Sequence, residues 1–454
     1  MLDAELSRVI SRRQFLGGSA AAAATALVGP SLLRRAGAST PPNPIEHIVV
    51  LTMENRSFDH FFGSLSLLEG RSDVDGLTGS EHNLWSNGDV EPVFHLGGNT
   101  CTRLDPPHEW SSVRTQYAAG GESGYLAAVE HHHGIDPDDR PPDARDPMGF
   151  YTSADLPFAY GVADRFAICQ NYRSPVAGPT LPNRHYLHAA TSGGIWDNYL
   201  DSRERGASPS PMGDPTYGFD FLTIYERLSQ HNRDWRVYFT EAPFTMLYRW
   251  PRLNHPERFA PFNQFLVDAA RGDLPAFTTI DPGYFTASDH APQNVQLGQL
   301  FMASVYAALA ASPVWDRTAL FISYDEDGGF YDHGSHAFVP DELGSVKWDG
   351  SAVVSHESFE PAPTASFVSG EHAGDPLYGD FSLSGGRLPT MVLGPWVREQ
   401  YVSPTDSDHT SILAFAEWCF DLDPLAHRDT YRLEAGQTLV DCFDFGGSPR
   451  GPLR

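Results

Sequence analysis

The sequence predicts an α/β fold: a mostly parallel central sheet flanked by helices, with loop-rich excursions. Three observations point to it. Short apolar runs rich in β-branched and aromatic residues recur along the chain, helical patterns lie between them, and 41 glycines and 36 prolines punctuate the connections. Strands that alternate with helices pair in parallel and are covered on both faces. Ligands in such sheets gather beyond the carboxyl ends of the strands.

Taken in order, the first strand is "IEHIVVLT" from Ile45, and it ends at Glu54 and Asn55. Two oxygen-bearing side chains at the tip of a hydrophobic strand call for a chemical reason. From about Gly63 to Met148 the chain is loop-rich, and "EHHHG" and "DPDDRPPDARDP" read as solvated connections in an excursion near the site. A helix is expected through Arg184, His185, Leu187 and His188, with Pro182 in its first turn. The runs "WRVYFT" from Trp235, "FTTID" from Phe277 and "ALFISYD" from Ala319 are further core strands, and "PTMVLGP" from Pro389 is a fifth. Helical periodicity covers Val295 to Ala311 and His409 to Phe420. Asp281 follows "FTTI", and Asp325, Glu326 and Asp327 follow "ALFISY", so acids collect with Glu54 and Asn55 at one sheet edge.

The amino terminus has another purpose. Arg12 and Arg13 precede a mild, alanine-rich apolar stretch, and "AGAS" at Ala36 to Ser39 supplies small residues suited to cleavage. Residues 1–38 therefore resemble a twin-arginine export signal, whose passengers cross the membrane already folded, and residues 39–454 are expected to form a single catalytic domain. The expected location is periplasmic, cell-surface or secreted, with the Tat export machinery as a partner and no integral span in the mature chain. A formal charge of −27 repels phosphates and anionic surfaces, and no basic stripe interleaved with aromatics appears, so nucleic acid is not an expected partner. Four cysteines, Cys101, Cys169, Cys419 and Cys442, are allowed to pair after export, and Cys419 with Cys442 is favoured as close in sequence.

The chemistry-bearing residues fall in two stretches. Thr180, in "GPTLPNR", sits where a helix begins. Its hydroxyl can be an ordinary N-cap or a nucleophile next to the helix amino-terminal amides, and both readings stay open on the residues alone. In "ISYDEDGGFYDHGSH", Asp325 and Glu326 end a strand beside Gly328 and Gly329, and adjacent carboxylates there suit a hard divalent ion. Asp332 and His333 could support them or lie on the surface.

In this order, "TMENRSFDHFFG", "GPTLPNR", "YDEDGGFYDH", "LGPWVR" and "DHTSIL" resemble the bacterial phosphoesterase family that contains the non-haemolytic phospholipases C and a related acid phosphatase, over about residues 45 to 445. The resemblance implies an alkaline-phosphatase-like core and hydrolysis of phosphate esters by a hydroxyl nucleophile beside metal. It implies Glu54, Asn55, Asp325 and Glu326 as metal ligands, Thr180 as nucleophile and ligand, and His108 and His290 as histidines that contact the phosphoryl group or protonate the leaving oxygen. Glu326 stands where the acid phosphatase has aspartate, a departure towards the phospholipases. The implied cofactor is a divalent ion, calcium, magnesium, manganese or zinc. The implied substrate is a phospholipid of the phosphatidylcholine type, cleaved to diacylglycerol and a phosphorylated head group. The alternatives are an acid phosphatase or phosphodiesterase acting on small soluble esters, or an exported binding protein without activity. "TLPNR" also has the outline of a sulfatase element, but threonine would not give the formylglycine that sulfatases need.

Overall fold

The computed structural model describes residues 43–452 except 99, 103, 119–123, 194, 199–217, 335, 336, 338, 340–380 and 382. Twelve strands are present among them: β1 (His47–Met53), β2 (His82–Leu84), β3 (Val90–Pro92), β4 (Phe94–His95), β5 (Gly149–Phe150), β6 (Ala167–Cys169), β7 (Trp235–Phe239), β8 (Phe259–Pro261), β9 (Phe277–Asp281), β10 (Thr318–Tyr324), β11 (Thr390–Leu393) and β12 (Tyr401–Ser403). Eight of them make one sheet in the order β12-β6-β11-β10-β1-β9-β7-β8.

All five expected core strands lie in this sheet, and the apolar runs explain why. β10 is buried at all seven positions and β1 at all but His47, so both faces are covered, as the unbroken Val/Ile/Leu/Phe runs require. Pairing is parallel throughout except at β11, which runs antiparallel to both β10 and β6. The helices Pro157–Arg165, Phe262–Arg271 and Val295–Ala310 form one packed set, and Thr180–Ala189, Ile224–Gln230, His409–Phe420 and His427–Ala435 form another. Asn294 starts the long helix by accepting a hydrogen bond from Gln296 N, and Asp408 with Ser411 forms a capping box at His409.

Two expectations are corrected here. "EHHHG" is not a connection: Glu130 to His133 close the helix Gly124–His133, with the three histidines exposed at its end. The carboxyl half of "DPDDRPPDARDP" is a 3-10 helix, Pro142–Met148, rather than a solvated loop. Its Ala144 and Met148 pack with Trp85, Val113, Tyr125 and Val129 in a second apolar cluster, which holds the excursion in place. Trp110–Ala118 is a helix of the same excursion.

The favoured Cys419–Cys442 bond is also corrected, since none of the four cysteines is joined in a disulfide. The buried sulfurs that approach each other, at 3.9 Å, are those of Cys169 and Cys442. Tertiary structure overrides nearness in sequence because β12, beside β6, carries the Val440–Cys442 turn against it.

Candidate active site

Three neighbouring parallel strands, β10, β1 and β9, end at the same edge. Met53 is level with Tyr324 and Leu51 with Ile280, so Glu54, Asp325 and Asp281 emerge together. Asn55 then turns sharply, with φ 63°, a left-handed conformation that costs a non-glycine residue energy and persists only when its surroundings impose it. Those surroundings are Asp325, whose Oδ1 accepts from Asn55 N at 3.2 Å, and Gly328, where a Cβ would lie 2.5 Å from the Asn55 carbonyl oxygen. Glycine at 328 is therefore a packing requirement.

Two buried oxygens at these strand tips have no hydrogen-bond partner among the described residues. His108 Nδ1 donates to the Pro106 carbonyl at 2.7 Å, which leaves Nε2 to accept from Asn55 Nδ2 at 3.2 Å. The Asn55 amide is thereby turned so that Oδ1 faces away, and that oxygen has no hydrogen-bond partner among the described residues. Glu326 accepts Gly328 N on Oε2 at 2.6 Å, while its buried Oε1 is likewise unpartnered and lies 3.8 Å from His108 Nε2. Burial, opposed by Arg184 and reinforced by Asp325, lifts Glu54 to a pKa of about 8. Burial, then Asp325 and Asp327, pushes Glu326 well above the carboxylate range. Orphaned oxygens beside Glu54 and Glu326, whose ionisation burial and neighbouring carboxylates oppose, fit a divalent cation, which would accept those lone pairs and compensate their charge.

Glu54 and Asp325 do not point freely at that position. Arg184, fully buried, donates to Glu54 Oε1 at 3.3 Å, to Asp281 Oδ1 at 3.1 Å and to Asp325 Oδ2 at 2.9 Å. Sequence reasoning passed over Arg184, although it lies four residues after Thr180 and so shares its helix face. Thr180 is the first residue of the helix Thr180–Ala189; Pro179 is its N-cap, and no side chain caps it. The N-cap reading of Thr180 is thus set aside. Its half-buried side chain lines a pocket of about 640 Å³ with Glu54, Tyr284 and His290.

The two histidines come from distant segments and meet with rings 5.6 Å apart. Asp105, which the sequence reading did not single out, places Oδ1 3.7 Å from His108 Nδ1 and 3.8 Å from His290 Nδ1. Ligand-capable atoms of Asp105, His108 and His290 lie within 4.8 Å of one another, a second cluster able to hold a cation. His290 Nδ1 donates to the Ala291 carbonyl at 2.7 Å, and Arg56 steadies the preceding residue by donating twice to the Asp289 carbonyl, at 2.9 and 2.6 Å. His409 was also missed as a supporting group. Its Nδ1 accepts from the Tyr172 hydroxyl at 3.0 Å, and Nε2 donates to the Asp325 carbonyl at 2.8 Å. Burial holds its pKa down at about 4, so this neutral tautomer anchors the ligand strand end.

Asp332 and His333 are supports, not surface groups. Arg387 donates to Asp332 Oδ1 at 2.7 Å and to Asp59 Oδ1 at 3.1 Å, and His333 Nδ1 meets Asp59 Oδ2 at 2.7 Å. Together they clamp "SFDH" to "YDH" behind the strand tips. Burial pulls the His333 imidazolium down, but the hydrogen-bonded Asp59 carboxylate overrides it and lifts the pKa from 6.5 to about 9. The folded state then holds the proton more tightly than the unfolded one. The stabilisation is complete below about pH 6.5 and is lost as pH rises through about 9. Urea midpoints are expected to fall over that window in the wild type and to fall less in His333→Gln; parallel curves would rule out the linkage.

Residues 45–423 match the family described as the Phosphoesterase family, and residues 9–29 match the twin-arginine translocation pathway signal sequence. Non-specific phospholipase C1 of Arabidopsis thaliana is 30% identical over 90% of this chain and 72% of its own. Phospholipase C B of Mycobacterium tuberculosis is 27% identical over 97% of this chain and 87% of its own. Among solved structures, human ectonucleotide pyrophosphatase / phosphodiesterase 5 aligns at a TM-score of 0.37 with 10% identity, over 64% of this chain and 94% of that one.

Proposed function

Because the chain belongs to the Phosphoesterase family and carries a twin-arginine signal for export, we propose that this phosphate-ester hydrolase is a phospholipase C that acts through Thr180. The observation that carries the reading is the placement of an uncapped threonine hydroxyl at a helix start, in one pocket with Glu54 and His290, beside acids whose oxygens lack partners. The broad similarity to phospholipases C from a plant and a mycobacterium favours a phospholipid over a small soluble ester. Residues 1–38 would act as the signal and residues 39–454 as one catalytic domain, which agrees with the single compact unit formed by Pro44–Arg454. No described helix is long and apolar enough to cross a membrane.

In this mechanism Thr180 Oγ1 attacks phosphorus, the bond to the diacylglycerol oxygen breaks, and water later hydrolyses the phosphothreonine. The amino-terminal end of the Thr180–Ala189 helix favours the charge of the approaching phosphodiester, while the buried Arg184 holds Glu54, Asp281 and Asp325 in place. His290, with Nδ1 tied to a backbone carbonyl, can carry a proton on Nε2 for the departing alkoxide. His108 orients the Asn55 amide. Asn55 and Glu326, with Glu54, Asp325 and Thr180, would hold a divalent cation, calcium, magnesium, manganese or zinc, whose chemistry is to neutralise phosphoryl charge and lower the pKa of the nucleophile. Glu326→Gln is expected to lower the divalent-cation affinity of the purified protein about tenfold or more, read by elemental analysis after dialysis; unchanged content would remove Glu326 from the ligand set.

The function is tested by comparing phosphatidylcholine vesicles with a soluble phosphomonoester. Phosphocholine and diacylglycerol are the expected products, formed faster than phosphate from the monoester. A strong preference for the monoester would overturn the phospholipase reading in favour of an acid phosphatase.

A further inference from the structure

We infer that Phe285 is a membrane anchor at the mouth of the pocket, which seats the active site on a zwitterionic phospholipid surface. This rests on the phospholipase reading and extends it to where the substrate is met. Phe285 is 87% exposed, more than any other large hydrophobic side chain described. It lines the same pocket as Thr180, Glu54 and His290, with apolar Leu181, Ala291 and Pro292. An isolated surface phenylalanine needs no explanation, but one at the rim of a catalytic pocket, held away from the core, has a use.

The loop itself holds the ring out. Tyr284 turns inward, its hydroxyl donating to Asp281 Oδ1 at 3.2 Å and its ring lying 5.3 Å from the Arg184 guanidinium, and the next residue consequently faces out. Phe285 N donates to Glu241 Oε2 at 3.2 Å, and Thr286 Oγ1 to Glu241 Oε1 at 3.3 Å. Across the loop, Ser288 Oγ donates to the Tyr284 carbonyl at 3.1 Å and Ser288 N to Gln293 Oε1 at 3.1 Å. A loop tied at these points keeps its backbone, and with it Phe285, at the rim of the pocket.

The chemistry of the surface it meets follows from charge. An overall charge of −27, with Glu241 directly under Phe285, opposes an anionic leaflet. A zwitterionic surface has no such penalty, and an aromatic ring partitions favourably into its headgroup region. The leaving group of the reaction is a diacylglycerol, so an apolar rim beside the nucleophile lets the phosphodiester enter while its acyl chains stay in the lipid.

The test uses the full mature protein, phosphatidylcholine vesicles and the soluble ester 4-nitrophenyl phosphorylcholine. Phe285→Ala is expected to lower the ratio of vesicle to soluble turnover about tenfold, chiefly through the apparent KM for vesicles, and Phe285→Trp to restore it. An unchanged ratio overturns the anchor. Sedimentation with vesicles, measured on Thr180→Val with and without Phe285→Ala, separates the two ideas. Phe285-dependent binding by a wild type that hydrolyses soluble ester but no vesicle lipid keeps the anchor and defeats the phospholipase reading. Binding that does not depend on Phe285 overturns the anchor and leaves this face for a protein partner.

Discussion

Thr180→Val is expected to fold like the wild type and to lose phosphate-ester hydrolysis by a factor on the order of 10³ or more, the scale seen when a covalent nucleophile is removed. Valine keeps the branched shape and removes only the oxygen. At the first helical position, with Pro179 as N-cap, that oxygen caps nothing, so the stability change should stay within about 1 kcal/mol. Thr180→Ser restores a hydroxyl and should retain activity, with some loss from the freer rotamer. The measurement is kcat on the best substrate beside a thermal or urea unfolding curve. Near wild-type turnover by folded Thr180→Val would show that the covalent mechanism is wrong.

Arg184→Met should be the most destabilising single substitution in the site. It keeps length and apolar stem but leaves Glu54, Asp281 and Asp325, now 3.3, 3.1 and 2.9 Å from the guanidinium, without their counter-charge. Breaking a buried pair by removing one partner costs about 3–5 kcal/mol, and here one cation serves three anions. Acid should ease the defect, because the abandoned carboxylates can then be buried neutral. The stability gap between variant and wild type is therefore expected to be smaller at pH 5 than at pH 8, and excess divalent cation should narrow it at pH 8. A gap independent of both pH and cation would mean that Arg184 matters for packing alone.

The acidic edge was legible because polar residues interrupt apolar runs at Glu54 and at Asp325, and a parallel sheet brings such interruptions together. Direction was not legible: the run at β11 is as apolar as its neighbours, and burial says nothing of the sense in which a strand runs. The strands β6, β8 and β12, three residues each, are too short to show a period. His108 and His290 had only family resemblance behind them, since lone histidines in Pro-rich loops carry no spacing signal. Arg184 did carry one, four residues from Thr180, but an arginine on a helix ordinarily reads as a solvent-facing charge. Only the convergence of three strand tips around it reveals a buried cation.

The central pairing of β1 with β10 sets a clock on biosynthesis. Asn55 and Asp325, which face each other at the strand tips, are separated by 270 residues. A ribosome adding about 5–20 residues per second needs on the order of tens of seconds to deliver the second after the first. During that interval β1, an apolar segment with no β10 to shield it, waits close behind an amino-terminal signal that has already emerged. Export before synthesis is complete would carry an unpaired strand through the membrane, whereas a route that accepts finished passengers gives the sheet time to close. The long-range order of the strands thus sets a problem of timing that the paired arginines at the start of the chain answer.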